Sequence, residues 1–183
     1  MSETQVIGCD FSGSPSKKKP IIFAVGSSNN GRVSLSKLEQ IDSLDGFSNW
    51  LNEHKNWVGA FDLPFGLPRE LVETLGWSSD WKACIDHYAS LSREDIRATF
   101  KDLPAGSSPS MKWVNPPVAY MLHAGVPRLI AAGVEIPALH DGDVNRVALE
   151  AYPGLLAREI LDKSGKRSYK SDDKAKQTPE RLI

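Results

Sequence analysis

The stretch TQVIGCD, residues 4–10, sets the fold of this chain. It is short, apolar and contains β-branched residues, and the turn-forming stretch FSGSP follows it at residues 11–15. We therefore expect a β-strand that ends on Asp10. A second stretch has the same pattern, because WVGAFD at residues 57–62 ends on Asp62 before the proline-containing stretch LPFGLP. Two predicted strands thus each end in a carboxylate and a turn.

The residues between these two strands predict a β-meander and a helix. The stretch PIIFAVG at residues 20–26 reads as a second strand, the NNG at 29–31 as a turn, and residues 32–35 as a short third strand. A helix then begins at Ser43 or Asp45. Its apolar face has helical spacing and consists of Phe47, Trp50, Leu51 and His54. An antiparallel meander, a helix and a further strand predict an α/β mixed sheet that continues with parallel strands and is flanked by helices.

The second half of the chain predicts a helical insertion and one more strand. Residues 68–133 are mostly of helical pattern, and we expect a kink or break where Gly125 and Pro127 interrupt it. Residues 144–151 predict a strand that carries Glu150 near its end, and Pro153 begins another helix. A helix start at Thr178, with the chain stopping at residue 183, predicts that the C-terminal part is missing. We expect residues 1–183 to form a single domain with one insertion.

Composition narrows the class of protein. The chain has 183 residues, is 40% hydrophobic and 25% charged, and has a formal net charge of −1. These values are typical of a soluble globular protein and give no global signature of a nucleic-acid binder. The sequence contains neither an apolar run long enough to span a membrane nor a secretory leader, so we predict a cytoplasmic protein. With only Cys9 and Cys84, we expect no disulfide-linked partner and no Cys/His metal site.

Three carboxylates stand at or near the ends of apolar strands, namely Asp10, Asp62 and Glu150. If these strands are neighbours, the like charges repel one another unless a cation lies between them. Mg²⁺ or Mn²⁺ prefers such oxygen ligands. Each residue also has a structural interpretation: Asp10 as a turn or cap residue, Asp62 as a turn former, and Glu150 as the partner of a basic side chain.

Four stretches, taken in order, carry a family resemblance. They are VIGCDFS at 6–12, FDLPFGLP at 61–68, AGVPRL at 124–129 and LEAYP at 149–153, with RAT at 97–99 and YK at 169–170 as less specific matches. Together they resemble the DUF429 family, which is described as predicted nucleases of ribonuclease H-like fold. The resemblance implies that Asp10, Asp62 and Glu150 are catalytic metal ligands. Ribonuclease H-like enzymes usually add a carboxylate from a late helix, and this chain stops before such a helix.

The activity implied by the resemblance is two-metal hydrolysis of a phosphodiester, with Mg²⁺ or Mn²⁺ as cofactor and nucleic acid as the partner. One ion would lower the pKa of an attacking water and the other would stabilise the leaving oxygen. Ser12, Arg97 and Lys170 are the predicted substrate-binding residues. Lys170 belongs to a basic stretch, residues 163–181, which could contact a nucleic-acid backbone but whose charges are mostly typical of a solvated loop.

Two other functions remain open at this point. The stretch DFSGS at residues 10–14 also resembles the first phosphate-binding hairpin of sugar-kinase and actin-like ATPases, which would make the chain a phosphotransferase. Alternatively, the chain is a non-catalytic binding module that keeps the fold, which the absent late helix favours.

Overall fold

The computed structural model describes residues 4–100, 118–155 and 159, and within them it contains six strands and five helices of an α/β protein. In chain order they are β1 (Thr4–Asp10), β2 (Ile21–Asn29), β3 (Arg32–Ile41), α1 (Leu44–Glu53), β4 (Trp57–Asp62), α2 (Arg69–Thr74), α3 (Trp81–Ser90), α4 (Arg93–Phe100), α5 (Val118–Ala131), β5 (Val134–Glu135) and β6 (Asp143–Glu150).

The strands form one mixed sheet in the order β3-β2-β1-β4-β6-β5. Strands β1, β2 and β3 are antiparallel neighbours, as the meander predicts, whereas β4, β6 and β5 continue the sheet in parallel with β1. The predicted α/β class and the change from antiparallel to parallel pairing are therefore confirmed. The parallel arrangement brings the carboxyl ends of β1, β4 and β6 to one edge of the sheet.

An aromatic core covers one face of the sheet. Phe23 of β2 and Phe61 of β4 point to this face and pack against Phe47 and Trp50 of α1. All four side chains are buried. The predicted helix start is confirmed, because the Ser43 hydroxyl accepts a hydrogen bond of 3.1 Å from the amide of Gly46. The helical spacing of the apolar residues thus directs α1 onto the sheet.

The edge strand β3 is longer than predicted. It extends over Arg32–Ile41 instead of residues 32–35, and a β-bulge interrupts its pairing with β2 between Val25 and Gly26. The bulge conceals the strand in the sequence, because it breaks the alternation of side chains that identifies one. Three apolar side chains of this strand are exposed, namely Val33, Leu35 and Leu38.

The region between β4 and β5 is helical in its described part, as predicted for the insertion, with α2, α3, α4 and α5 in succession. Of the predicted kink or break at Gly125 and Pro127, the break is wrong, because α5 is one continuous helix across both residues, and the kink stays a prediction. Its buried side is packed along most of its length, and such packing outweighs the hydrogen bond that a proline removes. The two-residue strand β5, which was not predicted, follows directly.

The chain divides into two compact units, Met1–Ala151 and Tyr152–Ile183. In the second unit the structure describes residues 152–155 and 159, and residues 153–155 and 159 are helical, which agrees with the helix start predicted at Pro153. Among the described residues, no helix has the length and apolar character to cross a membrane. Cys9 and Cys84 are both buried free thiols.

Candidate functional site

Asp10 and Asp62 occupy neighbouring positions at the carboxyl edge of the sheet. Strands β1 and β4 pair in parallel, and the last pair in their register is Asp10 with Asp62. Side chains at the same register position of paired strands point to the same face. Asp10 is exposed and Asp62 is half-buried. The first two predicted site residues therefore lie side by side where solvent reaches them.

The buried thiol of Cys9 lies close enough to both aspartates for their charges to affect it. Burial raises the pKa of Cys9 well above its usual value, and the negative charges of Asp10 and Asp62 raise it further. Cys9 is directed into the core, on the opposite face of β1 from Asp10. Cys9 is therefore a buried thiol whose deprotonation is disfavoured, and it packs as a small apolar residue of the core.

Strand β4 ends in a tight turn centred on Asp62. The carbonyl of Phe61 accepts a hydrogen bond of 2.9 Å from the amide of Leu63, which closes a three-residue turn. The same carbonyl accepts a second bond of 2.9 Å from Ala151, which follows β6. The structural interpretation of Asp62 as a turn former thus agrees with its position, and the turn also fixes its backbone against two neighbouring strands.

Glu150 lies on the next strand but has a different orientation. Its register partner is Phe61, the residue before Asp62, so its side chain begins on the opposite face of the sheet from Asp62. Its Oε2 atom accepts a hydrogen bond of 3.1 Å from the amide of Phe65. The carbonyl of Phe65 accepts a bond of 2.7 Å from the indole of Trp81. Glu150 therefore anchors the turn after β4, and it does so through a backbone amide instead of the basic side chain of its structural interpretation.

The side chains fit a cation held by two carboxylates better than one held by three. Within residues 4–100, 118–155 and 159, no group of three or more His, Cys, Asp or Glu side chains is arranged to hold a metal ion. Mg²⁺, however, commonly binds through one or two carboxylates and keeps several waters. The pair Asp10 and Asp62 provides that donor set, and Glu150 remains a predicted third ligand.

The loop after Asp10 is held from two sides. Gly13 lies against α5, where a Cβ atom on Gly13 would approach the carbonyl oxygen of Tyr120 to 2.8 Å, so only glycine fits. On the other side the Arg93 guanidinium donates hydrogen bonds to the carbonyl of Gly13 at 3.2 Å and to the hydroxyl of Ser14 at 2.6 Å. The same guanidinium lies 4.8 Å from the ring centroid of Tyr120. The predicted substrate-binding residue Ser12 is buried within this loop.

Of the other two predicted substrate-binding residues, the structure describes Arg97 but not Lys170. Arg97 is exposed on α4, one helical turn after Arg93. Lys170 and the basic stretch at residues 163–181 lie outside the described residues.

The sequence analysis did not identify Arg93, which holds the loop after β1. The capping box between Ser92 and Asp95 marks the start of α4, with the amide of each residue donating to the side chain of the other, but gives no indication that Arg93 points to the loop after β1.

Comparisons of this chain with protein-family models, with curated proteins and with solved structures found no match. The resemblance to the DUF429 family therefore remains a prediction from the sequence stretches alone.

Proposed function

We propose that this chain is a phosphodiester hydrolase that depends on Mg²⁺ or Mn²⁺. The more specific form of the proposal is that it is a nuclease. The observation that carries the proposal is the register pairing of Asp10 with Asp62 at the carboxyl ends of adjacent parallel strands. Two carboxylates at one position of the sheet edge provide the hard oxygen ligands that Mg²⁺ or Mn²⁺ prefers. Ligands of open α/β sheets bind at this edge of the strands.

The sheet supports a ribonuclease H-like identity as part of the same proposal. Strand order β3-β2-β1-β4-β6, with only β2 antiparallel to the other strands, agrees with the topology that the DUF429 resemblance implies. Fold does not determine function, so the proposal depends on the carboxylates and not on the topology.

The chain's own residues would perform three tasks in this activity. Asp10 and Asp62 would hold the cation on the exposed side of the sheet, and Glu150 would keep the turn after Asp62 in place through Phe65. The exposed Arg97 would attract a phosphate. When bound, the cation would activate water and offset the charge of the phosphate.

The test separates metal binding from hydrolysis. Thermal unfolding with and without Mn²⁺ should show a stabilisation of about 2.7 kcal/mol at a Mn²⁺ concentration of 100 times Kd. Asp10→Asn and Asp62→Asn should each remove most of this stabilisation and the hydrolysis of single-stranded, duplex, hybrid and branched nucleic acids. Asp141→Asn is the matched control, because Asp141 is an exposed carboxylate before β6, at the opposite edge of the sheet.

Each outcome has a distinct interpretation. Equal hydrolysis by the wild-type protein and Asp10→Asn would mean a contaminant or a wrong site, and would overturn the proposal. Mn²⁺ stabilisation without hydrolysis of any substrate would favour the non-catalytic binding module. Calorimetric binding of ATP would favour the phosphotransferase, although the loop that would hold its phosphate already contacts Arg93 and the backbone of Tyr120 through Gly13.

A further inference from the structure

Gly125 of α5 contacts both residues that directly follow the paired aspartates. A Cβ atom placed on Gly125 would lie 3.0 and 3.1 Å from the two Cδ atoms of Leu63 and 3.2 Å from Cε1 of Phe11. These separations are shorter than ordinary van der Waals contact, so α5 approaches Leu63 and Phe11 as closely as it does only because residue 125 has no side chain. One helix position thus touches the chain next to both carboxylates.

Leu63 and Phe11 have little freedom to move away from this contact. Both are buried in the core, and the ring of Phe11 also packs on Phe47 of α1 at a centroid distance of 5.0 Å. Interiors are close-packed, have low compressibility and transmit strain when atoms are added. A displacement of Leu63 or Phe11 therefore moves the strand ends that carry Asp62 and Asp10.

Backbone conformation does not explain a glycine at this position. Gly125 is inside a continuous helix and is absent from the described glycines of positive φ. Glycine is among the poorest residues for a helix interior. The benefit of glycine at position 125 is that α5 can lie close to Leu63 and Phe11.

We propose that Gly125 is a positioning residue that sets the separation of Asp10 and Asp62. Its link to metal affinity depends on the proposed function, whereas its effect on the strand ends does not. Mg²⁺ demands near-ideal octahedral geometry, so a change in the separation of its ligands at the strand ends weakens binding.

The experiment is a double-mutant cycle with two measurements. Gly125→Ala adds the methyl group that has no room, Leu63→Val removes the two Cδ atoms that it would meet, and the double variant combines both. The first measurement, without metal, is the set of backbone amide NMR shifts of Asp10, Phe11, Asp62 and Leu63. The second is the Mn²⁺ concentration needed for half of the maximal thermal stabilisation.

We expect Gly125→Ala to move the amide shifts at both strand ends and to raise the half-maximal Mn²⁺ concentration about 10-fold, the lower range for losing support around a metal site. The double variant should recover most of both changes. Gly8→Ala is the matched control, because it adds a methyl group in β1 two residues before Asp10, where the nearest atom is 3.9 Å away. It should leave the amides of Asp62 and Leu63 and the Mn²⁺ response as in the wild type.

Several outcomes would overturn the positioning role. One is that Gly125→Ala resembles Gly8→Ala in both measurements, and another is that the two substitutions in the cycle are simply additive. If Gly125→Ala does not fold, Leu63→Val is compared with the double variant. The methyl group added at position 125 in the double variant fills the space that Leu63→Val leaves empty, so its amide shifts must lie closer to the wild-type values than those of Leu63→Val. Amide shifts that move and recover in a protein with no Mn²⁺ stabilisation would reject the metal centre and support the positioning role.

Discussion

The two edges of the sheet at which the parallel strands begin and end differ in the arrangement of their charged side chains. At the amino edge Arg146 of β6 is buried, and its guanidinium donates to the carbonyls of Leu51 at 3.0 Å and Ala132 at 2.9 Å and to the carboxylate of Asp143 at 2.9 Å. At the carboxyl edge Asp10 and Asp62 have the same sign and are register neighbours.

This difference separates a charged residue with a structural role from a pair for which we propose a functional one. The Arg146 guanidinium has its hydrogen-bond partners within the fold, namely the Asp143 carboxylate and the carbonyls of Leu51 and Ala132. These bonds, called the Arg146 cluster below, connect α1, the end of α5 and β6. The aspartate pair brings two acidic residues to neighbouring positions where solvent reaches them, and we propose a functional role for it. Removing charge should therefore have opposite consequences for stability and for ligand binding at the two edges.

The largest expected effect is on stability at the amino edge. Arg146→Ala should lower the free energy of unfolding by about 3–5 kcal/mol, because it leaves buried acceptors without their donor. Urea unfolding without metal measures this, and the variant's remaining folded fraction should still respond to Mn²⁺. A loss below about 1 kcal/mol would mean that the cluster is not the structural connection described above.

A smaller effect at the same edge concerns acid. Hydrogen bonds from Arg146 and from the amide of Asn145 lower the pKa of Asp143 below its ordinary value of 3.8. A lowered folded-state pKa contributes stability that is present above 3.8 and is lost as the pH falls through the lower folded value. Asp143→Asn should therefore reduce the difference between the urea midpoints at neutral and at strongly acidic pH relative to the same difference in the wild type.

The smallest effect is expected from neutralising the carboxyl edge. Without metal, Asp10→Asn should change the free energy of unfolding by less than about 1 kcal/mol, with a gain as the expected sign, because it removes a like charge from an exposed position. The same urea series measures it. A loss comparable to that of Arg146→Ala would show that Asp10 has a structural role and would remove the contrast between the edges.

The convergence of Asp10 and Asp62 could be predicted because it depends on local patterns. Each apolar run identifies a strand, each turn marks its end, and an intervening helix permits parallel pairing. The direction of Glu150 could not be predicted, because it depends on the register of β6 against β4. A shift of one residue in that register moves a side chain to the other face.

Long-range contacts account for the remaining differences. Arg93 reaches a loop 80 residues away from it in the chain, and nothing near it in the sequence indicates that partner. Gly125 and Pro127 are typical of a helix break, whereas tertiary packing retains the helix. Sequence patterns therefore predict elements and their ends more reliably than which side chains meet across them.

The bulge opposite Val25 and Gly26 has a consequence for the behaviour of the protein at high concentration. Strand β3 is an edge strand of ten residues with exposed valine and leucine side chains, and a flat edge of this kind is a template for aggregation. The bulge increases the local twist, and the strand also carries the charged Lys37. Both features oppose the addition of a strand from a second copy. The bulge that makes β3 hard to recognise in the sequence therefore also opposes edge-to-edge pairing of folded chains.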